Sequence, residues 1–203
     1  MDGKPVWKKN IQEEYGKFYF LWTFSTSPLL HGNNIIMQVL QRDTPVHNFQ
    51  RGGGKHSSYL LALSMKDGSK VYQVERPDEA RAEAKEAFST PVLYDHKGKT
   101  QLLVTGGDCI TGHDPATGKE IWRWGTWNPN HREQWWRLVP SPVIGGGVIL
   151  ASAPKKAPVF AARVGLKGTH SGKDGQSWNS GPNSVVSSDV PTPPFYKDKF
   201  YVL

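Results

Sequence analysis

Between Gly125 and Arg137 the chain reads Gly-Thr-Trp-Asn-Pro-Asn-His-Arg-Glu-Gln-Trp-Trp-Arg. Three tryptophans, two arginines, a histidine and a glutamate fall within thirteen residues. Such side chains can stack on a flat ligand or anchor a partner's side chains. Asn128-Pro129-Asn130 favours a turn that projects Trp127 and the Trp135–Trp136 pair from one locus. Trp127, His131, Arg132, Trp135 and Trp136 are therefore the candidate binding residues. The competing reading is that the same rings pack under the loop.

Other chemistry-bearing residues point to less. His31, His47, His56, His96, His113, His131 and His170 are scattered with no pair at i, i+4, whereas a metal site needs several converging donors. Cys109 is the only cysteine, which excludes a disulfide framework or a multi-cysteine zinc or iron–sulfur site within the chain. The run Gly52-Gly53-Gly54-Lys55 invites a phosphate-loop reading. It fails because Phe49 stands where the first glycine should be and His56 where Ser or Thr should be. Gly118-Lys119 fails likewise, with His113 and Glu120 at those places. No catalytic residue, cofactor-binding residue or metal ligand is assigned.

The elements that must position these residues are short strands. The chain has 203 residues, 37% hydrophobic and 21% charged, a globular balance. Its 21 glycines and 15 prolines argue against a helix bundle and for many strands joined by turns. No apolar run reaches the ~18 residues of a membrane span, and Met1–Pro5 does not open a signal peptide. The net charge of +7 is spread along the chain without a basic run of five, which speaks against nucleic acid as a partner.

Four segments begin with Ser/Thr-Pro, at Ser27-Pro28, Thr90-Pro91, Ser141-Pro142 and Thr192-Pro193, at intervals of 63, 51 and 51. Each leads into an apolar run: Asn34–Leu40, Gln101–Thr105, Gly147–Ala151 and Lys199–Leu203. A second signature is a glycine turn followed by a strand with an aromatic, in Gly3…Trp7, Gly68…Tyr72, Gly118…Trp122 and Gly175…Trp178. Each unit reads as four short strands, with the glycine turn as the hairpin between strands three and four. Tandem four-stranded units of about 50 residues are propeller blades. The expected fold class is all-β: a β-propeller of four-stranded antiparallel blades, with about three complete blades and a partial one at each end.

The expected boundaries are 1–26 for the last strand of a preceding blade and its connection, 27–76, 88–127 and 141–180 for whole blades, 128–140 for an inter-blade loop and 181–203 for the start of the next blade. Residues 2–11 are expected to form a lone fourth strand. The extra length of the first interval falls on 77–87, where Pro77, early acids and four alanines favour a short helix over 78–87. A closed propeller has typically four to eight blades, so the chain is expected to be a piece of a longer protein.

Asp114-Pro115-Ala116-Thr117-Gly118-Lys119-Glu120-Ile121-Trp122-Arg123 resembles the blade signature of the pyrroloquinoline-quinone (PQQ)-like repeat propellers. The resemblance covers essentially the whole chain as a tandem pattern and is most specific around Trp122. It implies a docking role between neighbouring blades for Trp7, Tyr72, Trp122 and, in a shifted register, Trp178. It also frames the function. Relatives that use PQQ need bound calcium, a catalytic Asp and commonly a vicinal Cys-Cys, which this chain lacks. Asn128-Pro129 is similar to the segment that supplies a calcium-ligating amide in the alcohol dehydrogenases. Relatives without that machinery include the propeller lipoprotein of the outer-membrane β-barrel assembly complex. The favoured expectation is a non-catalytic scaffold, extracytoplasmic or periplasmic, that presents loops to a protein partner and needs no cofactor. A fragment of a PQQ- and calcium-dependent dehydrogenase and a carbohydrate-binding propeller are the alternatives.

Overall fold

The computed structural model describes residues 3–43, 57–125, 127–181 and 185–203. Thr126 and the Gly52–Gly54 run, with His47, Arg51, Lys55 and His56, lie outside the described residues.

The architecture is all-β, built from successive antiparallel sheets. The first has β1 (Leu29–His31), β2 (Asn34–Val39), β3 (Tyr59–Ser64) and β4 (Lys70–Glu75) in chain order. The second repeats this order with β5 (Val92–His96), β6 (Lys99–Gly106), β7 (Cys109–His113) and β8 (Glu120–Gly125). In the third, β9 (Val143–Gly145), β10 (Val148–Ser152) and β11 (Val159–Arg163) are joined by β13 (Gln176–Asn179). The segment skipped, β12 (Gly168–Ser171), pairs in parallel with Trp122–Gly125 and adds a fifth strand to the second sheet. A last hairpin joins β14 (Phe195–Tyr196) and β15 (Lys199–Phe200). The apolar runs expected from the repeat are thus strands. Among the described residues no helix is long and apolar enough to cross a membrane.

Side chains alternate across each sheet, and here both faces are dry. Leu60 and Ala62 of β3 join the main core with Ile36, Leu103, Ile110, Ile149 and Ala162. Their neighbours Tyr59, Leu61 and Leu63 point the other way, under Trp7, Ile11, Tyr15, Phe18 and Phe24. In the third sheet Ile149 and Ala151 face the main core, while Val148 and Leu150 face Phe200 and Val202. Central strands buried on both faces read as continuous apolar runs, and these do.

Neighbouring sheets are tied at both ends. At one end the Ser/Thr-Pro hydroxyls form a ladder: the Ser27 amide donates to Thr90 Oγ1 at 3.3 Å, the Thr90 amide to Ser141 Oγ at 2.9 Å, and the Ser141 amide to Thr192 Oγ1 at 3.0 Å. At the other end an aromatic ring lies on the hairpin glycine of each of the first two sheets, and a third ring, from β8, lies on the glycine of the β12–β13 turn. Trp7 covers Gly68 and donates from Nε1 to the Met65 carbonyl at 2.9 Å. Tyr72 covers Gly118, and its hydroxyl meets the Pro115 carbonyl at 3.3 Å. Trp124 covers Gly175 and donates to the Gly172 carbonyl at 3.1 Å. At the ladder end, buried Arg76 follows β4 and donates to the Gly106 and Cys109 carbonyls of the β6–β7 turn and to Thr111 Oγ1.

Several expectations are corrected. Residues 3–10 form no strand; Pro5 lacks an amide hydrogen for a ladder, and the segment turns into α1 (Ile11–Tyr15), capped by the Asn10 side chain at the Gln12 amide. The helix expected over 78–87 shrinks to a 3₁₀ turn, Ala82–Lys85. Ala82 has φ 49° and Glu86 is extended, because Ala87 is recruited into a parallel bridge with Leu138; tertiary pairing overrides helix propensity. Trp122 does not reach the next sheet's hairpin. Its ring lies over Gly112 of the paired strand and donates to Gln101 Oε1 at 2.8 Å, because β12 occupies the β8 edge and Trp124 takes the contact with Gly175. Trp178 is 40% exposed at the outer strand of the third sheet, where its ring meets Phe200 edge-on.

The ring-on-glycine contact can be separated from turn strain. Gly98 and Gly118 both have φ near +74°, but a Cβ at Gly118 would lie 2.7 Å from the Tyr72 ring, whereas a Cβ at Gly98 meets nothing within 4 Å. Gly118→Val is expected to cost at least about 2 kcal/mol more than Gly98→Val in chemical denaturation. Equal losses would show that Tyr72 does not bear on the glycine.

Candidate binding face

Strands alternate in direction, so the β6–β7 turn and the connections that follow β4 and β8 emerge at the same end of the sheets. This brings together Asp108, the 76–91 segment and the 126–142 loop.

The loop is pinned from beneath. Asn128 is buried and its side chain is fully engaged: Nδ2 donates to Asp108 Oδ2 and to the Glu133 carbonyl, both at 2.9 Å, and Oδ1 accepts from the Glu133 amide at 3.0 Å. Asn130 and His131 take left-handed backbone, φ 57° and 49°, which turns the His131 ring between Asp108 (2.8 Å) and Glu79 (3.1 Å). Burial raises the pKa of the Asp108 carboxyl, and the bonds from His131 and Asn128 work against that rise.

A second set of contacts locks the loop to the 83–88 segment. The Ala84 amide donates to the Gln134 carbonyl at 3.1 Å, and Leu138 exchanges backbone bonds with Glu86 and Phe88. The Glu86 carboxylate is buried against the Arg42 guanidinium and accepts the Leu21 amide. Burial raises its pKa, and Arg42 opposes the rise. Glu83 Oε1 accepts from Trp22 Nε1 at 3.1 Å and faces Arg137 Nη1 at 3.7 Å.

The five candidate residues are therefore parted. Trp127 is 3% exposed and packs on Trp124, with ring centroids 6.2 Å apart. The expectation that it faces a ligand is corrected: Asn128 is drawn inward by Asp108, and Trp127 goes with it into the core. Trp136 is half-buried against the same core. His131 is held between two carboxylates. Arg132 is exposed and, among the described residues, its side chain pairs with its neighbour Glu133 at 2.7 Å. Trp135 is 60% exposed. A residue that sequence reasoning passed over is Trp22, 69% exposed and bonded to the same Glu83 that Arg137 faces. Its signal was the aromatic run Phe18-Tyr19-Phe20-Leu21-Trp22-Thr23-Phe24, in which Phe18, Phe20 and Phe24 pack on one another and Trp22 is left outside. Glu83 and Glu86, which seat both segments, were hidden inside the expected helix.

The residues present do not fit a PQQ–calcium centre. The Asn128 amide oxygen already accepts a backbone hydrogen bond in a buried position. Among the described residues Asp108 Oδ2 is taken by Asn128 and His131, so that Oδ1 alone is left unpartnered where calcium needs about six to eight oxygens. Cys109, where a vicinal pair would have to be built, is single and buried. The Arg76 guanidinium lies 3.0 Å from its sulfur, and burial pushes the thiol pKa up.

The chain belongs to the family described as outer membrane protein assembly factor BamB, whose model matches residues 1–194. No curated protein matches it. Among solved structures it is similar to BamB from Moraxella catarrhalis, with 13% identity and a TM-score of 0.48 over 84% of this chain and 40% of that one. It is also similar to a europium-containing methanol dehydrogenase (16% identity, TM-score 0.48, 79% of this chain and 26% of that one). A third is the quinohemoprotein alcohol dehydrogenase from Comamonas testosteroni (14% identity, TM-score 0.49, 77% and 21%). The chain thus spans well under half the length of each of the three.

His113 shows how the second sheet's interior responds to acid. It is buried, with Nδ1 donating to the Gly118 carbonyl at 2.9 Å and Nε2 2.8 Å from Thr111 Oγ1. Burial lowers its pKa from 6.5 to about 4. The folded state therefore keeps the ring neutral where the unfolded chain protonates it. The stability this residue contributes is fully present above pH 6.5 and is lost as pH falls towards 4, up to about 3 kcal/mol. Proton NMR is expected to show a His113 midpoint near pH 4; titration near 6.5 would contradict the buried neutral ring.

Proposed function

We propose that the sheets are successive blades of a non-catalytic propeller scaffold, placed outside the cytoplasm, that holds a protein partner against the face carrying Trp22 and Trp135. Membership of the assembly-factor family supports a protein partner and an extracytoplasmic location. The observation that carries the reading is the exposure of these two rings, 69% and 60%, on segments that both meet Glu83: Trp22 itself bonds its carboxylate, and Arg137, two residues after Trp135, faces it. Each ring can remove some 150–250 Å² from water on contact, and tryptophan flanked by arginine is the composition of interface hot spots. The buried Arg42–Glu86 pair and the Asn128–Asp108 bond hold the base of the face rigid, so little ordering entropy is lost when a partner binds.

Surface plasmon resonance against the purified outer-membrane β-barrel assembly complex tests this. Trp135→Ala and Trp22→Ala are expected to weaken binding about tenfold or more, with the melting temperature almost unchanged. Trp127→Ala is expected to destabilise the fold by about 3–5 kcal/mol instead. Parental affinity in both exposed-ring variants would remove this face from the interaction.

A further inference from the structure

The opposite end of the sheets carries a groove of about 530 Å³ lined by Lys99, Thr100, Gln101, Asp114, Lys119, Glu120, Ile121 and Lys167. Lys99, Lys119 and Lys167 are exposed and make no ion pair with any described residue. Of the two carboxylates of the lining, Glu120 is the one that is ion-paired among the described residues. Glu120 accepts from Arg123 Nε and Nη2, both at 2.7 Å, and Asp114 Oδ1 accepts the Ala116 amide at 2.8 Å.

A second observation points the same way. Gln101 is only 8% exposed, yet it lines the groove. The Trp122 N–H fixes its Oε1 at 2.8 Å, which sets the orientation of the amide. Its Nε2 donors are left without a partner among the described residues and face the lining. An amide donor without a partner, sharing one lining with three lysines, is suited to an acceptor-rich anion, and lysine provides compact, rotatable charge for such a group.

We propose that this groove binds a phosphate-type oxyanion carrying two or more negative charges, either free or as a lipid headgroup. Gln101 donates from below, and Lys99, Lys119 and Lys167 close over the charge. The site lies at the other end of the sheets from the Trp22–Trp135 face and stands independently of it.

The probe is inorganic pyrophosphate, titrated calorimetrically into the full chain at low and raised ionic strength. Binding is expected to weaken with salt. It is expected to fall about tenfold in Lys119→Gln and in Lys167→Gln, the size of one charge-assisted hydrogen bond each. Lys66→Gln, on the same end but outside the groove, should bind like the parent. Gln101→Glu keeps an acceptor for the Trp122 N–H, removes the donors and should abolish binding; if that variant fails to fold, the two lysine variants decide. Sedimentation with phosphatidylglycerol vesicles, competed by pyrophosphate, assigns the lipid headgroup as the source. Pyrophosphate binding without vesicle binding assigns a free anion. Absence of pyrophosphate binding, equal binding by all variants, or binding of polyglutamate alone overturns the proposal.

Discussion

A flat ring can lie against a backbone only where no Cβ stands between them, and a tight hairpin needs positive φ at its corner. Glycine meets both demands at once, and the stacking of this protein depends on that coincidence. Gly68 and Gly118 each turn a hairpin, Gly175 turns the chain from β12 into β13, and each receives a ring from the preceding segment: Trp7, Tyr72 and Trp124 respectively. The ring's polar atom then bonds a carbonyl of the same turn. The contact sets the spacing between sheets, and the cores between them fill to match. At the far end the Ser/Thr hydroxyl ladder sets the same spacing with hydrogen bonds.

The two ends then diverge in chemistry. At the ladder end, long connections fold back over one another, and their acids are drawn inward. Glu86, Asp108 and Asp78 are buried beside Arg42, His131 and Lys85. Such pairs stabilise little on net but make the loss of one partner expensive, which fixes loop positions. Two rings are left in solvent above that rigid base. At the hairpin end the turns are short, the carboxylates pair locally and the lysines remain open. One scaffold therefore offers an aromatic surface at one end and a cationic groove at the other.

Much of the fold was legible because strands and turns are local. The 51-residue spacing of Ser/Thr-Pro, the apolar runs and the hairpin glycines located the strands of three sheets from order and chemistry alone. Position also marked the Ser/Thr-Pro pairs as recurrent, though not that each hydroxyl accepts the preceding repeat's amide. The candidate loop was found by composition, but composition does not say which ring is wet. Trp127, Trp135 and Trp136 are the same residue type within ten positions, and they end buried, exposed and half-buried.

The sequence by itself determined an all-β chain of repeated hairpins with an aromatic, cationic loop between two of them. Continuous apolar runs and glycine turns depend on neighbours a few residues away. Only the tertiary structure decided that residues 3–10 would leave the ladder, that 78–87 would give up its helix, and that Trp124 rather than Trp122 would reach the next hairpin. Each outcome was set by a partner distant in sequence: Gly68 for Trp7, Leu138 for Ala87, and β12 on the edge of β8. A segment's own propensity, worth tenths of a kcal/mol per residue, yields to long-range burial and backbone pairing worth more.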